Sequence, residues 1–327
     1  MANILVKLLL CAVVFIDKRF GYDLLPDIGA PDYSCAEDLM KKSEHVPGNV
    51  NSAGNGAGAL TPLGVFLQYR GLSFQAGGDA NLEEHITIPN ILKKYNPDLF
   101  GYSTGIGDEH NYDVARLNVA VAGALASELP RQAFHLERSP QYASVFIAEA
   151  IQIIYDNVPR VIVSLTNVFH LEILRETDRG RYFCSALHKF QCPCVSDLFV
   201  NKSVLANAVN EYNYYEMQMQ TSGRFEKDDF TLVVQPFLSN TTEPSRINGE
   251  FNKEFFAPDC FHFSQWGHAL IASHLWSNII EPVGYKSTTV NLTIPALPLS
   301  CPEKNCPFFR TPKNSVDCSE YFTAPAS

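Results

Sequence analysis

Two short apolar runs constrain this chain more than anything else in it. Val161-Ile162-Val163-Ser164-Leu165 and Phe230-Thr231-Leu232-Val233-Val234-Gln235 are rich in β-branched residues and too short for buried helices. They read as buried parallel strands. A helical pattern over 204–220 lies between them and another over 265–280 follows, so this half alternates strand, helix, strand, helix. That order predicts a doubly wound α/β fold with its chemistry at the C-terminal ends of the strands. A helix over 142–155, with Phe146, Ile147, Ala150, Ile151 and Ile154 on one face, leads into the first run.

The earlier part of the chain breaks this order. A helix is expected over 118–136, interrupted by Pro130. Only Glu137-Arg138-Ser139-Pro140-Gln141 separates it from the next helix, too few and too polar to supply a strand. Leu99 to Thr104 is a candidate short strand, closed by Gly105 and Gly107. Residues 22–58 are polar and turn-rich, and nothing in them resembles a buried strand.

The chemistry concentrates in Phe255-Phe256-Ala257-Pro258-Asp259-Cys260-Phe261-His262-Phe263-Ser264. It follows the last strand and opens the last helix. A carboxylate that accepts the Nδ1 proton of a histidine fixes the tautomer and leaves Nε2 as a general base, so Asp259 and His262 are half of a hydrolase site. The missing half is a nucleophile. Gly101-Tyr102-Ser103-Thr104-Gly105 matches G-x-S-x-G, but such an elbow must turn straight into a helix, and 106–111 is a glycine-broken polar loop. Ser103 is therefore a weak candidate.

With a net charge of −10 and no run of Lys and Arg longer than two, the chain has no electrostatic footprint for nucleic acid. A basic start, the apolar run Leu8 to Ile16 and a polar boundary near Gly21 predict a secretory leader over residues 1–21 and a secreted, extracellular product. Removing Cys11 with that leader leaves eight of the nine cysteines, an even set for disulfides. His188 with Cys192 and Cys194 could be drawn as a metal cluster, but the oxidising setting points to cystines. Asn201, Asn240 and Asn291 head N-x-S/T sequons, in keeping with that route. The simplest division is a catalytic-type domain over 22–284 followed by a Cys- and Pro-rich tail over 285–327.

Several blocks together resemble the phospholipase B branch of the GDSL (SGNH) lipase family. They are residues 68–73, 77–82, 88–92 and 119–124, Val234-Gln235-Pro236-Phe237, and the specific block 256–264. The resemblance runs from about Tyr22 to Lys313. It implies a flavodoxin-like parallel sheet with helices on both faces, and hydrolysis of acyl esters in phospholipids and lysophospholipids at a membrane surface, with no metal or other cofactor. It casts Asp259 as orienter, His262 as base and Gly123 as a backbone donor of the oxyanion hole. Two family blocks have no counterpart here. Ala53-Gly54-Asn55-Gly56-Ala57-Gly58 matches the tail of the nucleophile block, but Val50 stands where its serine would fall, and Ser52 belongs to a different backbone position. The G-x-N-D block should lie between Leu136 and Tyr142. Each absence removes a strand, so the resemblance implies a sheet short of two central strands and a site without serine or asparagine. The alternative is a non-catalytic secreted protein that binds lipid or another partner.

Overall fold

The structure is a computed structural model that describes residues 27–35, 53–122, 140–178, 181–191, 193–293 and 298–321. The expected leader, the point where the nucleophile block would fall, Gly123 and most of the helix expected over 118–136 lie outside these residues.

The chain is mixed α/β around a small parallel sheet. β1 (Val161–Thr166) and β2 (Phe230–Gln235) pair in parallel, from Val161 opposite Phe230 to Thr166 opposite Gln235. The connection between them carries α2 (Tyr182–Gln191) and α3 (Lys202–Thr221), and α1 (Pro140–Asn157) precedes β1. α1 and α3 pack side by side, and Ala148, Ile151, Phe225, Phe230 and Leu232 form the core there, with Val161 and Val163 against it. β2 is buried along its whole length, as expected. β1 is not: Ile162 is 46% exposed, and Ser164 on the same face is exposed. Among the described residues β1 pairs only with β2, and its Ile162 and Ser164 face is exposed rather than buried.

The larger core surrounds α4 (Gln265–Ile280), where Ala269, Leu270, Ile271 and Ala272 are fully buried. A helix that is apolar all round must sit inside the molecule. Ser264 caps it, its Oγ accepting from the amide of Gly267. The C-terminal segment closes over this helix: Trp276 donates through Nε1 to the carbonyl of Ser300, and Phe309 meets the Trp276 ring edge-on. Disulfides join Cys35 to Cys301, Cys184 to Cys260 and Cys306 to Cys318. A two-residue antiparallel pair, β3 (Arg246–Ile247) with β4 (Glu250–Phe251), completes the strands described.

Residues 53–122 are held by turns, short helices and side-chain ties. The candidate strand at Leu99 to Thr104 reduces to one parallel bridge between Gly77 and Ser103, and residues 118–122 are not helical. The organiser here is Arg70, fully buried, whose guanidinium donates to the carbonyls of Gly107, Asn118 and Ala120 and to Gln68 Oε1. Such a many-donor fork replaces the ladder that a sheet would have supplied.

Candidate active site

The stretch from Phe255 to Ser264 folds back on itself just before α4. Phe256 and Phe263 form an antiparallel bridge with stacked rings, and the amides of Ala257, Cys260 and Ser264 donate to the carbonyls of His262, Ala257 and Phe255. Cys260 at the tip takes φ +61°. That left-handed conformation costs a non-glycine residue about 1–2 kcal/mol, so the surrounding contacts must hold it.

Asp259 is buried and its carboxylate fully engaged. Oδ1 accepts from the amides of Phe261 and His262, both at 3.1 Å, and Oδ2 meets His262 Nδ1 at 2.6 Å. The His262 side chain is 34% exposed, whereas that of Asp259 is 1% exposed. The ring is thus clamped at Nδ1 on its inner side, and Nε2 has no hydrogen-bond partner among the described residues. This is the geometry that makes an imidazole a general base.

The other carboxylate-paired histidines show what this arrangement is not. His85 Nδ1 meets Asp27 and its Nε2 the carbonyl of Leu72. His170 joins Glu172 to the carbonyl of Ser239, and the Glu172 carboxylate holds its imidazole above the ordinary range. His188 joins Asp178 to the carbonyl of Asp259. His85 and His170 have both ring nitrogens hydrogen-bonded, and His188 has Nε2 bonded and Nδ1 against Asp178. All three are buried, while a fourth, His110 beside Glu109, is exposed. His268, at the edge of Phe263, is buried and pulled down to about 3, so it is neutral. Among the described residues, His262 is the carboxylate-paired, partly buried ring whose second nitrogen faces no protein partner.

Residues 54–59 and Val65 lie against this loop. Gly56 sits so close that a Cβ there would come within 3.2 Å of Ala257 Cβ, and Ala59, Val65 and Ala257 form a small apolar cluster. Gly54 has φ +64°, and a Cβ on it would strike the Tyr69 carbonyl at 2.3 Å. Both glycines are demanded by close approach. Asn55 pairs with Gln68, which keeps this segment beside the Ala257 end of the loop.

Ser103 is fully buried and donates its Oγ to the carbonyl of Ala115 at 3.0 Å, a structural role. Gly123, expected in the oxyanion hole, is outside the described residues. So are Cys192 and the side chain of Cys194. His188 is committed to Asp178 and Asp259, and among the described residues no group of three His, Cys, Asp or Glu side chains is placed to hold a metal ion. Neither the tie of His188 to Asp259 nor the Cys184 link to Cys260 was legible in the sequence, because each spans more than 70 residues of chain. A separate cleft of about 380 Å³ runs along α3 and is lined by Asn167, Asn213, Gln220 and Asn240, away from the dyad.

The human protein named phospholipase B1, membrane-associated, is 37% identical over 314 residues, covering 82% of this chain and 21% of the human one. The rat and mouse proteins of the same name are each 36% identical, with the same coverage. This chain is a relative of phospholipase B1. It spans about a fifth of the length of the phospholipase B1 chains it matches. No family model and no solved structure matches. Among the described residues no helix is long and apolar enough to cross a membrane.

Proposed function

We propose that this chain is a phospholipase B-like protein of the GDSL (SGNH) type that carries the acid–base half of a lipid ester hydrolase site. The observation that carries this reading is the 2.6 Å contact between Asp259 and His262, with Nε2 left open. The similarity to phospholipase B1 supports phospholipids as the substrate class, and the resemblance to the phospholipase B branch extends it to the acyl esters of lysophospholipids. The resemblance removes the serine, so ester turnover is residual at most. Losing a triad nucleophile leaves only the catalysis that binding and polar groups give.

A lipid-facing lip supports the same substrate. Leu60, Leu63, Phe66 and Leu67 are 56, 47, 74 and 48% exposed around the turn Pro62–Phe66. Val65 between them packs on Ala257, so the exposed apolar side chains sit beside the dyad loop. An apolar lip next to the base suits brief contact with a membrane or micelle surface.

The test is hydrolysis of a fluorogenic short-chain ester and of lysophosphatidylcholine by the purified chain. Weak turnover abolished by His262→Ala supports the half-site. Turnover unaffected by that change contradicts it, and lipid binding with no turnover in either protein favours a non-catalytic lipid-binding role.

A further inference from the structure

We infer that His188, backed by Asp178, is a positioning residue for the Asp259–His262 pair, acting with the Cys184–Cys260 disulfide as a two-point clip on one face of α2. The inference rests on the dyad reading above and adds a device to it. Cys184 and His188 are four residues apart on a helix and therefore project from the same face. Both reach the dyad loop. Cys184 is bonded to Cys260, and His188 Nε2 lies 3.1 Å from the backbone oxygen of Asp259. The Phe261 ring meets His188 edge-on at 6.1 Å. Three consecutive loop residues, 259, 260 and 261, are thus held from α2, and the next residue is the base.

The chemistry gives the contact a direction. A carbonyl oxygen only accepts, so the proton must be on His188 Nε2. Asp178 Oδ1 lies 2.8 Å from Nδ1, outside hydrogen-bond alignment, and packs against that side of the ring so that Nε2 faces Asp259. His188 is fully buried, so this contact is shielded from water. The peptide oxygen of Asp259 is tied to α2 while its carboxylate is tied to Phe261, His262 and the His262 ring. Fixing the first fixes the direction of the second. Cys260 between them is held in a left-handed conformation, whose strain such restraints offset.

The test reads the Nδ1 proton of His262 in protein with labelled histidines, by its low-field resonance and its exchange with water. The wild type is expected to show this proton protected. His188→Leu should speed its exchange by about tenfold or more, the scale of losing one positioning hydrogen bond, while His188→Gln, whose amide can donate to the same carbonyl, should restore protection. Asp178→Asn, which keeps the volume, should fall between them and carries the test if His188→Leu fails to fold by circular dichroism. Folded variants with wild-type protection would overturn the clip and leave the dyad intact. A wild type without a protected Nδ1 proton would instead overturn the dyad reading itself.

Discussion

At the scale of single residues, burial and the supply of partners decide what each ionisable group does. Asp259 is buried, and its oxygens meet three nitrogens, the amides of Phe261 and His262 and the His262 Nδ1. Glu216 is buried with one donor in evidence, the Asn167 amide at 2.5 Å, and desolvation pushes it up from 4.5 to about 7. Its folded value exceeds its unfolded one, so between pH 4.5 and 7 the folded chain binds a proton that the unfolded chain lacks. Stability therefore falls as pH rises through that window, by up to roughly 3 kcal/mol for a shift of this size. Glu216→Gln should leave the melting temperature unchanged at pH 4.5 and raise it at pH 8. Equal effects at both pH values would show that Glu216 is not protonated in the fold.

At the scale of elements, the sequence revealed what periodicity can carry and missed what distant contacts decide. The runs at 161–165 and 230–235 and the helices over 142–155, 204–220 and 265–280 all appear, because alternation or a 3.6-residue repeat of apolar side chains encodes them locally. The exposed face of β1 was not legible, since Ile162 looks the same whether or not another layer packs on that face. Nor was Leu99 to Thr104, where aromatic and β-branched character suggested a strand and Ser103 finds only a single bridge. In the site, the Asp259 and His262 spacing was legible because the pair is local. His188 was legible only as a histidine near two cysteines, and its tie to Asp259 depends on tertiary packing. The exposed face of β1 makes a prediction of its own. Ile162→Thr should change unfolding free energy by no more than about 0.5 kcal/mol. Leu232→Ala, at 1% exposure on β2, should cost about 2–5 kcal/mol in the same denaturant titration. Comparable losses at the two sites would mean that β1 is covered in solution.

At the scale of the whole molecule, a small sheet leaves the fold dependent on α4 and on cross-links from the chain's far ends. Cys35–Cys301 closes a span of 266 residues across the α4 core, beside the contact of Tyr33 with Tyr95. Constraining so long a loop stabilises by on the order of 4 kcal/mol. The double change Cys35→Ser and Cys301→Ser should lower the melting temperature by about 5 °C or more, and an unchanged melt would show that α4 packing alone holds the C-terminal segment. The account as a whole turns on the proposal that His262 is an oriented base without a serine nucleophile to activate. The most direct measurement is to treat the folded, purified chain with a fluorophosphonate probe and map the adducts by peptide mass spectrometry. The account predicts no labelled serine, while a serine labelled in the wild type and not in His262→Ala would contradict it.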